Sequence, residues 1–333
     1  MKNQDLASKT PNSGAVSVKA RKAVALTLEQ FQGLADVPPE IEWFANIQNP
    51  NTRRAYKGDI TDFMGFAGIT QPQQLRTVLR PHVIAWRKSL ETRELEPSSI
   101  RRKLSALSEL YNHLCECNCV LFNPTLGVKR PKADSNEGKT PAIGDGQARA
   151  LLDAPTEDTI KGKRDRAILS TFLFHAPRCE ELCALAVNDI QQRRGVPHLR
   201  IHGKGGKIRF VPAHPGSLER INDYLEAAGH GQDLSGPLFR PVKNPRTGEL
   251  RKRLTPGAIY NRVVKHYAAK IGLKLPGFCP HSLRATAATN SLDHGADIAK
   301  VQEWLGHANI ATTRLYDRRK SRPEDSPTFK VAY

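Results

Sequence analysis

The stretch PKADSNEGKTPAIGDG, residues 131–146, interrupts an otherwise periodic chain. Its proline, glycine, serine, asparagine and aspartate offer no amphipathic face, so it reads as a linker. Apolar residues recur at helical spacing on both sides of it. A chain broken in this way folds as two units, and 333 residues suit two domains of ~100–200 residues each.

Before the break, Tyr56, Ile60, Phe63, Met64 and Ala67 mark one buried helix face, and Gly68 ends that helix. Pro81 fits the first turn of the next helix, with Ile84 and Leu90 available for its buried side. A third stripe, Ile100, Leu104, Leu107, Tyr111 and Leu114, follows the possible caps Ser98 and Ser99. Basic residues gather at two helix starts: Arg53, Arg54 and Lys57, then Arg101, Arg102 and Lys103. A charge run is commonly a solvated face. Two such runs in one helical unit also suit phosphate contacts.

After the break, helical segments are expected near 147–153, 162–175 and 179–187. HLRIH, GKGGK and IRFVP then read as a β-hairpin about a glycine turn. Helices return near 216–228, 256–271, 282–293, 296–305 and 310–318. The fold class is therefore mainly α, an all-helical domain and a mostly helical domain with a small β-sheet. The expected divisions are a basic arm (1–25), a helical domain (26–130), the linker (131–146), a second domain (147–320) and a tail (321–333).

Lysine and arginine number 51 against 33 acidic residues, a formal net charge of +18. That balance asks for a polyanionic partner. A hydrophobic content of 39% supports real cores and excludes wholesale disorder. No apolar run reaches a membrane span, and the first residues lack a secretory apolar core, so a cytoplasmic protein is expected. Such a chain needs no disulfides. Cys115, Cys117 and Cys119 lack paired zinc-site spacing and read as reduced thiols near a helix end; no metal is expected.

Six residues of the second half stand out in chain order. They are Arg178 in PRCEEL, Lys204 in GKGGK, His281 and Arg284 in HSLR, His307 in LGH and Tyr316 in RLY. Each alone has an ordinary surface or core explanation. Together they resemble the tyrosine recombinases, the phage integrase family. The order HxxR, then LGH with its histidine 26 residues after the first, then tyrosine nine later matches that family's spacing. The hairpin, the RCEEL segment and NTRRAYKGDITDFMGFAG match as well, so the resemblance spans about residues 40–320.

The resemblance implies a helical core-binding (SAM-like) domain and a catalytic domain clamped on duplex DNA. It implies that Tyr316 attacks a phosphodiester, leaving a 3′-phosphotyrosine bond, and that strands exchange through a Holliday junction. The residue types fit such chemistry. Guanidiniums of Arg178 and Arg284 can fork onto nonbridging oxygens. His307 can donate a further hydrogen bond. His281 suits proton transfer at the Tyr316 hydroxyl, and Lys204 can protonate the leaving 5′-oxygen. Glu181 matches the family's acidic position and Asp189 its structural aspartate. No metal or nucleotide cofactor is implied. A homotetramer on paired sites is implied, with residues 323–333 passed to a neighbouring protomer, and a mobile element is the expected client. Ala176-Pro177-Arg178 departs from the family's Gly-x-Arg, and Pro177 suggests a helix starting there. A type IB topoisomerase-like strand transferase and a non-catalytic DNA-binding regulator are the alternative readings.

Overall fold

The computed structural model describes residues 26–27, 33–34, 37–132, 140–243, 248–317 and 328, the side chain of Lys204 excepted. The arm at 1–25, and the tail other than Thr328, lie outside the described residues. The chain divides into two units, Met1–Asp134 and Ser135–Tyr333.

The first unit holds α1 (Pro39–Asn46), α2 (Pro50–Ala67), a 3-10 turn (Pro72–Thr77), α3 (Arg80–Thr92) and α4 (Pro97–Glu116). Asn49 caps α2, its side-chain oxygen accepting from the Asn51 and Thr52 amides, a cap worth ~1 kcal/mol. Gly68 closes the helix at φ 68°, where a side chain would be strained. The α4 stripe of Ile100, Leu104, Leu107, Tyr111 and Leu114 is wholly buried. Trp86 meets Phe63 edge-on at 5.0 Å, and Tyr111 donates to the Leu75 carbonyl at 2.8 Å.

Two expectations change here. Helix α4 starts at Pro97 with Glu96 at the cap position, so Ser98 and Ser99 lie inside the first turn. Proline's fixed φ and missing N–H suit that first position better than a hydroxyl suits the cap two residues later. Helix α3 buries Val83, Trp86 and Leu90, while Ile84 is only half-buried. The large indole sets the face.

The second unit runs α5 (Asp145–Asp153), α6 (Ile160–His175), α7 (Cys179–Ala184), β1 (Ile190–Arg193), β2 (Val196–His202), β3 (Ile208–Pro212) and α8 (Pro215–Ala228). Helix α9 (Pro256–Ile259) continues through a π turn (Tyr260–Val264) into α10 (Lys265–Lys270). Then come α11 (Pro280–Asp293), α12 (Ile298–Leu305) and α13 (Ile310–Arg314). Order begins earlier than 147. Ile143 is buried in the core, and its amide donates to Thr286 Oγ1 at 3.0 Å. Ala142 packs against a core cluster of the same unit, so these two apolar residues tie their part of the stretch to the domain.

The sheet has three antiparallel strands in the order β1-β2-β3. The expected hairpin is its β2–β3 pair. Strand β1, with the sequence IQQR, is too short and polar to show alternation. Leu199 pairs with Val211 and Ile201 with Arg209, so all four share a face. Leu199, Ile201 and Val211 are buried there. Ile208 and Phe210 point outward, and the Arg193 guanidinium covers the Phe210 ring at 3.7 Å.

Candidate active site

The chain leaves α6 through Ala176, which sits at φ 47°, ψ 40°. This is left-handed backbone, the conformation the family's glycine would adopt freely. For alanine it costs ~1–2 kcal/mol, partly offset because the methyl is fully buried. The turn directs the Ala176 carbonyl at Arg284. Pro177 lies outside the next helix, which starts at Cys179 with Arg178 at its cap position. The expectation of a helix start at Pro177 is thus corrected by two residues, because Glu181 folds back to hold the Arg178 amide at 2.7 Å. The same carboxylate accepts from Arg178 Nη1 at 2.8 Å. The Arg178 side chain stays 41% exposed, open to an incoming anion.

Arg284 lies on α11 among Ala285, Ala287 and Ala288, whose small side chains let neighbouring backbone approach. It is 1% exposed. Nη1 donates to the Ala176 carbonyl, and Nη2 donates to Leu305 O at 2.6 Å and to His307 Nε2 at 3.0 Å. Burial first, then the charge of Arg178, pulls this guanidinium down to about 10. It stays charged at neutral pH.

Gly306, at φ 66°, ends α12 and turns the chain into His307. A guanidinium can only donate, so His307 Nε2 is the acceptor and the ring proton sits on Nδ1, facing Thr313 Oγ1 at 2.9 Å. Burial, then Arg284 and Arg178, holds this imidazole at about 4. His307 is therefore neutral, with its pocket-side lone pair taken. That differs from the expected free hydrogen-bond donor. The reason is proximity: the Arg284 fork reaches both the α12 carbonyl end and the ring.

Tyr316 follows α13 in a turn, because α13 stops at Arg314 and does not run to 318. The ring is 6% exposed and stacks near His307, with centroids 5.9 Å apart. Its hydroxyl lies 3.2 Å from His281 Nε2. Burial raises the phenol's pKa, while Arg284 and Arg178 oppose the shift. Desolvation, then Arg284 and Arg178, lowers that of His281. A protonated phenol beside a neutral imidazole can donate to Nε2 when the ring proton sits on Nδ1.

Arg178, His281, Arg284, His307 and Tyr316 thus converge. Lys204 lies at the hairpin tip, in the turn Lys204–Gly206, and its side chain is outside the described residues. Asp189 is buried away from this constellation. It caps the Ala186 amide at 2.8 Å and accepts from Arg200 at 2.7 Å, a structural role.

One further residue joins the site. Arg209 on β3 grips Glu181 with two bonds, Nη1 to Oε1 at 3.0 Å and Nη2 to Oε2 at 2.7 Å. Its side chain also lies against Gly306, where an added Cβ would come 3.2 Å from Arg209 Cδ. Desolvation pushes the Glu181 carboxyl up, but the bonds from Arg209 and from Arg178 overcome it and hold the group at about 2. The signal was in IRFVP: Arg209 has the parity of buried Val211, an arginine on a sheet's inner face.

The basic clusters divide. Arg102 pairs with buried Asp59, and Lys103 bridges Asp59 at 3.4 Å and Asp62 at 3.0 Å. Arg53 donates to Ile47 O and Ala45 O, tying off the end of α1. Arg54, Lys57 and Arg101 are exposed, and among the described residues the Arg101 guanidinium makes a long 3.5 Å contact to Pro131 O. Among the described residues, no helix is long and apolar enough to cross a membrane.

Residues 143–322 match the Phage integrase family, and residues 45–116 match the Phage integrase N-terminal SAM-like domain. A tyrosine recombinase XerC of Pelobacter propionicus is 34% identical over 80% of this chain and 84% of its own length. A XerD of Pseudomonas putida is 32% identical over 82% and 88%. Among solved structures, a lambda integrase dimer bound to a COC′ core site superposes with a TM-score of 0.64 at 15% identity, covering 89% of this chain and 80% of that one. The XerH recombinase bound to its palindromic difH substrate gives 0.62 at 20%, covering 79% and 75%. At those identities the structures speak to fold. With a family match over half the chain and relatives above 30% identity, this chain belongs to the phage integrase family and is a tyrosine recombinase.

Proposed function

We propose that this recombinase cleaves duplex DNA at paired specific sites and exchanges strands through a Holliday junction, in the cytosol, as a homotetramer serving a mobile element. The unit 26–130 would grip one side of the duplex and the unit 147–320 would perform the chemistry. The carrying observation is the Tyr316 hydroxyl on His281 Nε2, inside a pocket with three guanidiniums and one carboxylate.

The Tyr316 oxygen attacks the phosphorus while His281 Nε2 takes its proton. Arg178, exposed and anchored at one Nη, offers the fork to nonbridging oxygens. Arg284 spends both Nη atoms on the protein, so it acts chiefly as a fixed buried charge under the phosphate. Lys204, at the hairpin tip, gives a proton to the leaving 5′-oxygen. The bond lost at the 5′-oxygen is replaced by the phosphotyrosine ester, ready for a new 5′-hydroxyl.

The test is a nicked substrate that traps the covalent complex, with peptide mapping of the adduct. The label should map to Tyr316, and cleavage should survive excess EDTA, since arginine and imidazole do the work a divalent ion would do. An adduct on another tyrosine, or none until magnesium is restored, overturns the mechanism.

A further inference from the structure

Spacing alone gave the run Cys115, Cys117 and Cys119 no metal partner. The fold supplies one from another helix. His113 lies on the last turn of α4, and Cys117 follows one turn later, bringing Sγ to 3.6 Å from His113 Nε2. Glu42 of α1 places its Oε2 3.9 Å from the same Nε2. The three donor atoms all lie within 4.8 Å of one another.

We propose that Glu42, His113 and Cys117 form a binding site for a borderline-soft divalent cation such as Zn²⁺, separate from the recombination chemistry. Ordinary zinc bond lengths in a tetrahedron put nitrogen and sulfur about 3.5 Å apart and nitrogen and oxygen about 3.3 Å apart. The first distance is already met. The second needs the carboxylate to close by roughly half an ångström. Glu42 can do this, since its side chain is 60% exposed while His113, the fixed pivot, is 15% exposed. The donor set of one thiolate, one imidazole and one carboxylate suits zinc, cobalt or nickel better than magnesium or calcium. The carboxylates of Glu42 and Glu116 lie close enough to Cys117 to act on it electrostatically. A negative corner in a chain of net charge +18 favours a cation. A bound ion would pin α1, only eight residues long and marginal alone, to the end of α4.

The experiment titrates Co²⁺ into the full chain, reduced with a non-thiol reductant. Wild type should take up one ion with a thiolate-to-cobalt charge-transfer band and tetrahedral ligand-field bands, and Zn²⁺ should displace it and raise the melting temperature. Cys117→Ser and His113→Gln should abolish the band, and Cys115→Ser should keep it. Glu42→Gln should weaken binding and remove the thermal shift, since only that residue links α1. No band in wild type, or an undiminished band in Cys117→Ser, overturns the site. Circular dichroism of the variants without metal checks that each is folded, so that a lost band reports lost ligation.

Discussion

The Tyr316 hydroxyl rests 3.2 Å from His281 Nε2, on side chains 35 positions apart in the chain. Neither group is charged at neutral pH, because burial works against the phenolate and the imidazolium alike. Proton transfer between them therefore needs an unprotonated His281. Its pKa lies below the ordinary ~6.5, so cleavage should be flat above that value and fall as pH drops beneath it. Single-turnover adduct formation across pH checks this. His281→Asn should lower the rate about 10²–10⁴-fold, the usual worth of a positioned base, and should remove the acid limb. An acid limb unchanged in the variant would assign the titration elsewhere.

Glu181 makes the second prediction, through Arg209. The carboxylate is 5% exposed and holds both the Arg178 amide and its Nη1. Without Arg209, Arg178 would lean harder on Glu181 and present less of its fork. Arg209→Ala should slow cleavage by about tenfold to a hundredfold, the scale of a lost bond to a charged group. Half-site affinity should change little. Arg209→Lys should recover only part, since an ammonium cannot grip both oxygens in a fixed fork. A cleavage rate equal to wild type in Arg209→Ala would return Arg209 to a purely structural role.

The set of chemical groups was readable because HxxR, LGH and RLY in that order resemble the family's motifs; only His281 and Arg284 share a helix, while His307 and Tyr316 lie in the turns after α12 and α13. What remained hidden depended on pairings across the chain. Arg209 counts only once β3 lies beside α7 and Glu181. His307 looked like a free donor until Arg284, 23 residues earlier, was seen to occupy its Nε2. The partners of Arg102, Lys103 and Arg53, namely Asp59, Asp62 and the end of α1, could not be read from the basic runs because they lie on other helices or beyond a turn. Helix stripes, by contrast, are local: that of α4 was legible outright, and in α2 Ile60 and Phe63 are buried and Tyr56 and Met64 half-buried, while Ala67, in the last turn, is exposed.

Acid stability follows from two neutral histidines. His175 is fully buried, accepts from the His214 amide at 2.9 Å, and is held at about 4 by burial. His307 sits at about 4 as well. A lowered imidazole pKa means that the unfolded chain binds the extra proton first, so stability is complete above about 6.5 and is lost as pH falls toward 4. For His175 the span is roughly 3 kcal/mol. Urea melts at pH 7 and pH 5 should show the loss, and His175→Gln should flatten it. A stability independent of pH over that range would contradict the burial argument.

The last prediction separates the two kinds of basic residue in the first unit. Each phosphate neutralised by the protein makes log K fall by about 0.9 per log unit of salt. Arg54, Lys57 and Arg101 are exposed, and a phosphate can take them at little cost. Lys103 is 12% exposed and shared between two carboxylates, and Arg102 serves an Asp59 that is 3% exposed. Releasing either to DNA would strip buried Asp59 of one of the two cations that share it, a cost that a free surface charge does not carry. Arg54→Ala and Arg101→Ala should therefore each flatten the salt slope by about one unit while leaving stability unchanged. Arg102→Ala and Lys103→Ala should do the reverse, lowering stability with the slope intact. Binding isotherms at four salt concentrations, beside urea melts of the same variants, give both readouts. A flattened slope for Lys103→Ala would show that its carboxylate pairs open on DNA. An unchanged slope for both Arg54→Ala and Arg101→Ala would make those residues ordinary solvated charge.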